Sequence, residues 1–432
     1  MSVLILFIAL VSLYSQIFTG VGIKTFEHAR LATRVQLNDS ATISEEQHVI
    51  WNGNYSFPSR EERIKYYMGQ WYGQRLQPLE FKCKTLDSVN ILDSKFVGNV
   101  PVMYSGEKIL NELQTNPDWR VSRYLKEAYD ILALGIGINS TEAEKNRSSL
   151  ILIIGDGMTI DVMRNIHFPI ISKARPCQHV TDENTGRPFP AFITWPLNMF
   201  RHYVEVDKYV RLKLTGKVQK WEDKISRLVW RGVPTGYLQG RRFLTGFENG
   251  PRIQAVLSNF HKNITDIDVA FSNKAFEYNS RLINSTNYAR DHYGMNQYLG
   301  YKYLLSIEGN DVATGLKWQL ASNSVVFMAK PVFSSFAMED FLVPFVHYIP
   351  VKNDYSDLME VVEWARKNDE KCQWISAQAN LFMERLWISE EAKRDNAAIQ
   401  LALGKSYYEQ FSAALRSCQR KWVYEWVNKV ET

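Results

Sequence analysis

The sequence predicts an α/β fold built around parallel strands. The central observation is a stretch of 32 residues that runs from 300 to 331, GYKYLLSIEGNDVATGLKWQLASNSVVFMAKP. Its hydrophobic pattern predicts a buried strand, a turn, a short helix and a second buried strand, over residues 303–307, 308–311, 312–321 and 324–328. This order is a βαβ unit, which places its turn at the carboxyl edge of a parallel sheet. Further apolar runs at 150–154 and 344–352 predict additional buried strands.

The N-terminus predicts entry into the secretory pathway. Residues 1–23 carry no charged side chain, and 3–18 are almost wholly apolar. This pattern favours either a cleaved signal peptide or a single uncleaved membrane anchor, with a buried core helix as the alternative. Because no Lys or Arg precedes the apolar run and Phe18-Thr19-Gly20 is only a fair cleavage site, the choice stays open.

The sequence also contains N-glycosylation sequons, which favour a glycoprotein located in the ER or Golgi lumen. They begin at Asn38, Asn54, Asn139, Asn146, Asn263 and Asn284. The four cysteines, Cys83, Cys177, Cys372 and Cys418, lack the close pairing of a zinc site, so one or two disulfides are expected. A Cys372–Cys418 bond is the expected pairing.

Length and composition are those of an ordinary two-domain globular protein. The 432 residues are 45% hydrophobic and 22% charged, which is enough to build two cores. The net charge of +5 is too small to indicate a nucleic-acid partner. An anionic ligand would therefore have to be bound by positive charges within its own site.

Helices are predicted in both halves of the chain, after a polar lead-in at 24–57. The spacing of apolar residues predicts helices over 61–72, 119–134, 354–367, 372–386 and 395–430. The aromatic stripe of the first helix is typical of core packing, with an acceptor-facing platform as the alternative.

Asp156 is the candidate general base. It lies in Gly155-Asp156-Gly157, directly after the predicted strand 150–154, and therefore at the edge where open α/β folds bind ligands. The alternative is a turn aspartate that bonds its own backbone, and Asp161 is a weaker competitor.

The turn of the βαβ unit is the candidate phosphate site. If the helix begins at 312, the unpaired amides of its first turn, from Asp311, Val312, Ala313 and Thr314, would face a diphosphate. The alternative is that Asp311 only caps the helix, with Lys317 on its exposed face.

Two segments of the sequence, the first of them within the βαβ stretch, resemble a known family. EGNDVATGLKWQLASNSVVF, followed by LVPFVHYIPVKNDYSDL, is similar to the CAP10-like glycosyltransferases, glycosyltransferase family 90. The resemblance is dense over 221–386 and thinner over 150–203. It implies a GT-B-like architecture of two Rossmann-like domains with a cleft between them. The implied division is an acceptor-side domain at 24–215, a nucleotide-sugar domain at 216–390 and a bracing helical segment at 391–432.

The resemblance also implies roles for single residues. It supports Asp156 as the base, and it places Arg231, with either Arg241 or Arg242, on the diphosphate, where guanidinium groups bind phosphate oxygens in pairs. Thr235 and Asn310 lie in the turns beside these groups, and Lys317 would supply charge where related enzymes carry an arginine near Gly315.

Several other residues have two possible roles each. Trp195, Pro196, Arg201 and His202 either line the acceptor cleft or pack in the core. His347 is either a core histidine or catalytic, and Glu339 either accepts a ribose hydroxyl or caps a turn.

The expected function is transfer of glucose or xylose from a UDP-sugar to a hydroxyl of a protein or glycan acceptor. The resemblance implies inversion, and no metal or cofactor besides the UDP-sugar donor is expected, because local cations and amides would stabilise the departing diphosphate. The alternatives are a catalytically inactive sugar-binding protein on the same fold and a phosphate-releasing hydrolase.

Overall fold

The structure is a computed structural model of mixed α/β composition. It describes residues 56–74, 102–115, 119–137, 141, 144, 148–155, 169–181, 185–189, 192–197, 202–236, 250–262, 265–273 and 285–417. Apart from Ser56, these residues belong to one compact unit, which comprises Leu37–Trp51 and Phe57–Thr432. The predicted signal or anchor segment and the six sequon asparagines lie outside the described residues.

The helices of the described part include counterparts of the predicted helices 354–367, 372–386 and 395–430, with shifted ends, and others that were not predicted. They are α1 Arg60–Met68, α2 Gly106–Thr115, α3 Trp119–Ile136, α4 Val204–Leu214, α5 Pro251–Asn259, α6 Met295–Tyr298, α7 Leu316–Ala321, α8 Leu358–Lys367, α9 Asp369–Met383 and α10 Glu390–Ser417. Helix α1 begins with a capping box between Ser59 and Glu62, and it ends at Gly69, whose φ of 56° suits glycine.

The strands of the described part are short. They are β1 Val102–Ser105, β2 Ser149–Leu152, β3 Ile171–Ser172, β4 Ala174–Pro176, β5 Ile193–Thr194, β6 Ile225–Gly232, β7 Ile267–Ser272, β8 Ala289–Arg290, β9 Tyr301–Ser306, β10 Val325–Met328, β11 Phe333–Ser335 and β12 Ile349–Pro350.

A parallel sheet dominates the C-terminal half. Its six strands lie in the order β12-β10-β9-β6-β7-β8, and every neighbouring pair is parallel. Strands β9 and β10 of this sheet are almost wholly buried, as is expected of parallel strands covered on both faces. Helix α7 connects β9 to β10, with Tyr303 opposite Val325, so the predicted βαβ unit is confirmed.

A second sheet lies in the N-terminal half. Its described strands follow the order β1-β2-β3-β5, of which only the β1–β2 pair is antiparallel. Strands β4 and β11 form a separate antiparallel pair, which joins residues 174–176 to residues 333–335. The chain therefore combines two sheets with mostly parallel strands.

Helix α10 packs against α1, α3 and β2. It approaches α3 closely where Gly404 meets Gly135, since a Cβ on Gly135 would lie 2.6 Å from the Gly404 carbonyl oxygen. Glycine at both positions therefore allows the two helix backbones to come together. No helix in the described ranges is both long and apolar enough to cross a membrane.

Three expectations are corrected by the structure. The helix predicted over 312–321 begins only at Leu316. The predicted strand 344–352 shortens to Ile349–Pro350, because a turn with Phe345 at a φ of 57° precedes it. Cys372 is a buried free thiol, and so is Cys177, which contradicts the Cys372–Cys418 disulfide.

Candidate functional site

A cavity lies at the carboxyl ends of the central parallel strands. Its wall includes Ser306 at the end of β9 and Met328 at the end of β10. Pro251 at the start of α5 and Val312 in the loop before α7 complete the rim. This edge is where open α/β sheets bind their ligands.

Two turns meet beside this cavity. The turn after β6 contains Gly236, whose amide donates to Asn310 Oδ1 at 2.9 Å. Gly236 has a φ of 93°, and a Cβ there would lie 2.9 Å from the Gly309 carbonyl oxygen. The two turns can pack this closely only because both positions are glycine.

Arg252 holds the same two turns together. It donates from Nη1 to Thr235 Oγ1 at 2.5 Å, and from Nε and Nη2 to the Ile307 carbonyl oxygen at 3.3 Å. The structure thus brings the predicted residues Thr235 and Asn310 together. Arg252 was not predicted, because only the fold brings its helix, α5, next to both turns.

Asp311 is not the cap of a helix. Its buried carboxylate lies 3.2 Å from Lys173 Nζ, which comes from the segment between β3 and β4. Val312 and Ala313 are also buried, while Thr314 is exposed. Because α7 begins at Leu316, residues 311–314 do not form a helical first turn, and the predicted cradle of first-turn amides is wrong in this respect.

Lys317 is buried rather than exposed. Its Nζ donates to Glu339 Oε1 at 2.9 Å, and both side chains are at most 2% exposed. Glu339 also accepts from the backbone amide of Ser335 at 2.6 Å. Glu339 lines the cavity, so this ion pair forms part of its wall.

Arg231 makes five hydrogen bonds inside the protein, and all three of its guanidinium nitrogens take part. Nη2 donates to both carboxylate oxygens of Asp268 at 2.8 Å, and Nη1 donates to the carbonyl oxygens of Trp230 and Asp268 at 2.9 Å. Nε donates to the Asp291 carbonyl oxygen at 3.0 Å. Direct contact with a diphosphate would require Arg231 to exchange some of these partners.

The buried carboxylate of Asp268 accepts hydrogen bonds from several side chains. Besides Arg231 it accepts from Arg290 Nη1 at 2.5 Å and from the Tyr293 hydroxyl at 2.9 Å. Burial opposes its charge, but the hydrogen bonds and charges of the arginines outweigh burial, so the pKa of Asp268 is lowered.

Asp268 also belongs to an Asp-x-Asp triplet, Asp266-Ile267-Asp268. The prediction of a metal-free site took the sequence to lack such a triplet, and that premise is wrong. Asp266 pairs with Arg366 at 2.6 Å, whereas Asp268 pairs with Arg231 and Arg290. Each carboxylate is thus already neutralised by arginine.

Glu308 is a cavity residue that the sequence did not single out for chemistry. Burial raises its pKa to about 8, although its carboxylate accepts from the amides of Val332 and Phe333 at 3.0–3.2 Å. A partly buried carboxyl group with a raised pKa is a recognised mark of functional sites. Its only sequence signal was its place at the end of a buried strand.

Several predicted residues lie in the core instead of on a cleft wall. Trp195 and His202 are each 4% exposed. His347 Nδ1 accepts from the Val343 amide at 2.9 Å, and burial lowers its pKa to about 3, so the ring is neutral. These observations favour a role in core packing for all three residues.

The remaining predicted site residues lie outside the described residues. They are Asp156, Asp161, Arg201, Arg241 and Arg242. Their roles, including that of Asp156 as general base, stay predictions.

The parallel sheet and its connecting helices are consistent with a Rossmann-like fold. Residues 180–391, just under half of the chain, match the model described as glycosyl transferase family 90. The resemblance found in the sequence is therefore confirmed.

Curated relatives carry glycosyltransferase names. The chain is 31% identical over 163 residues to "O-glucosyltransferase LpsA" of Dichelobacter nodosus, covering 38% of this chain and 44% of that protein. It is 29% identical over 168 residues to "Protein O-glucosyltransferase 2" of Danio rerio, covering 39% and 30%. The chain thus spans less than half the length of these relatives.

Proposed function

We propose that this chain transfers glucose or xylose from a UDP-sugar to a hydroxyl of a protein or glycan acceptor. The observation that carries the proposal is the cavity at the carboxyl ends of β9 and β10, which lies within the segment that matches glycosyl transferase family 90. The relatives named O-glucosyltransferases support glucose as the first sugar to test.

The donor nucleotide would bind in this cavity, against the turns that contain Thr235 and Asn310. Loss of UDP from the sugar places extra negative charge on the diphosphate, so cationic side chains must stabilise it. Arg242 or Arg241 is the candidate for direct contact, since Arg231 and Lys317 are already bonded to Asp268 and Glu339.

Asp156 would accept the proton of the attacking hydroxyl as general base. The transfer would invert the anomeric carbon within a GT-B-like cleft and would need no divalent metal. Location in the ER or Golgi lumen, with or without an N-terminal anchor, is part of the same proposal and is supported by the apolar N-terminus and the sequons.

Calorimetry of the full chain with UDP-glucose, UDP-xylose and UDP-galactose tests donor binding. We expect saturable binding of at least one donor, with the same affinity in the presence of a chelator. Asn310→Ala should weaken binding about tenfold, which corresponds to about 1.4 kcal/mol, because the Gly236 turn loses its acceptor. Asn368→Ala, which alters an asparagine at the end of α8 away from the cavity, is the control.

The competing hypothesis is an inactive sugar-binding protein, and substitution of Asp156 distinguishes it from a transferase. In the transferase, Asp156→Asn should abolish transfer while UDP-sugar binding persists. If no acceptor preparation yields transfer and the wild-type protein only binds donor, the competing hypothesis is correct. If none of the three donors binds, both are wrong.

A further inference from the structure

A second cluster of chemically active side chains lies behind the cavity wall. Cys177, His179 and Asp340 each offer a ligand atom, and these atoms all lie within 4.8 Å of one another. The cluster joins a loop of the N-terminal half to the short helical turn Glu339–Phe341 in the C-terminal half. None of its members belongs to the proposed donor site.

The backbone positions the cluster firmly. Cys177 follows β4, and its amide donates to the Val332 carbonyl oxygen at 2.8 Å, which extends the pairing of β4 with β11. The Val180 amide donates to the Cys177 carbonyl oxygen at 3.0 Å, and this turn brings His179 back beside Cys177.

Asp340 has one oxygen bonded and one directed at the cluster. Its Oδ2 accepts from the Tyr66 hydroxyl at 2.8 Å and from the Gln178 amide at 3.4 Å. Its Oδ1 is buried, makes no hydrogen bond within the described part of the chain, and lies 3.8 Å from His179 Nδ1. The side chain is only 10% exposed, and its carboxylate lies next to both His179 and the Cys177 thiol.

We propose that Cys177, His179 and Asp340 form a binding site for a zinc ion. A sulfur, an imidazole nitrogen and a carboxylate oxygen are the three ligand types that zinc prefers. Tetrahedral coordination at the usual bond lengths separates ligand atoms by about 3.3–3.7 Å, which side-chain rotation can reach from the present spacing. Tyr66 and the Gln178 amide orient the carboxylate, as outer-shell partners do in zinc sites.

The ion would have three protein ligands and one open coordination position. Cys177 is 2% exposed, whereas the His179 side chain is 34% exposed, so a water molecule can complete the coordination from the His179 side. The ion would fasten the β4–β11 pair to the turn that carries Glu339, and thereby stabilise the wall of the cavity. Coordination would release the thiol proton to solvent.

Metal content and cobalt spectroscopy on the purified full-length chain test this proposal. After removal of metal and dialysis against zinc, we expect one zinc per chain that resists a further dialysis without zinc. With Co²⁺ in place of zinc, a thiolate-to-cobalt charge-transfer band should appear in the near ultraviolet.

Matched variants decide which residues hold the ion. Cys177→Ser should abolish the charge-transfer band, and His179→Gln should weaken zinc binding by more than the roughly 10–100-fold that outer-shell changes cost. Cys372→Ser, at the other buried free thiol of the described residues, and His261→Gln should both behave as wild type. Absence of stoichiometric zinc, or a band that survives Cys177→Ser, would overturn the proposal.

Discussion

Glu308 shows how a single side chain can combine cavity position with unusual ionisation. It lies on the cavity wall, where burial raises its pKa to about 8, and Glu339 and Asp311 add to that shift. A neutral carboxyl group removes a repulsive charge from a site that is proposed to accept a diphosphate. The same burial makes ionisation of Glu308 costly to the folded protein.

Glu308→Gln should therefore stabilise the protein in a pH-dependent way. Between pH 4.5 and about 8 the unfolded chain has lost the Glu308 proton while the folded chain keeps it, so wild-type stability falls as pH rises. The stability difference in favour of Gln should grow across this window by at most about 1.4 kcal/mol per pH unit and level off above it. Urea denaturation at a series of pH values measures this difference. A difference that is constant with pH would contradict the raised pKa.

Asp268 permits a second residue-scale prediction, because it is the buried partner of Arg231 and Arg290. Asp268→Asn should destabilise the protein by about 3–5 kcal/mol, since it leaves buried arginine charge without its counterion. Asp266→Asn, which breaks the more exposed pair with Arg366, should cost about 1 kcal/mol or less. Equal losses in thermal or urea denaturation would show that the Arg231 network is not structural.

At the scale of elements, the sequence predicted the strands and the turn better than the helix. The apolar runs that became β9 and β10 are strong local signals, and the Glu308–Asp311 turn follows from its residue types. The helix begins late because Val312 and Ala313 are buried and Asp311 pairs with Lys173, more than 130 residues away in sequence. Such long-range partners leave no mark on local periodicity, and the same holds for Arg252 and Asp268.

The packing of the two glycine turns gives an element-scale prediction. Gly236→Ala should cost the strain of a φ of 93° and also push the Gly309 turn away, because its Cβ would lie 2.9 Å from the Gly309 carbonyl oxygen. Gly216→Ala has a similar φ of 66° but nothing within 4 Å, so it should cost only about 1–2 kcal/mol. Gly236→Ala should exceed this cost and also reduce UDP-sugar affinity in calorimetry. Equal effects on stability would mean that the turns move apart freely.

At the scale of the whole compact unit, contacts between the N-terminal and C-terminal halves of the chain set the position of the cavity wall. Strand β4 pairs with β11, and Lys173, just before β4, pairs with Asp311 in the loop that precedes α7. The N-terminal segment near residue 173 is thus bonded to the loop that borders the proposed donor site. Neither contact could be predicted, since each joins residues that are distant in sequence.

Lys173→Met should therefore affect both stability and donor binding. The substitution leaves the Asp311 carboxylate buried without its lysine partner, which should cost about 3–5 kcal/mol in urea denaturation. Lys173→Met combined with Asp311→Asn should recover part of this loss, because the uncompensated charge is then removed, and this non-additivity is the mark of a direct pair. Lys208→Met, in an exposed pair with Glu205 on α4, should cost less than about 1 kcal/mol. If the Lys173 and Asp311 variants prove additive, Lys173 does not act through Asp311, and the ion pair does not position the cavity wall.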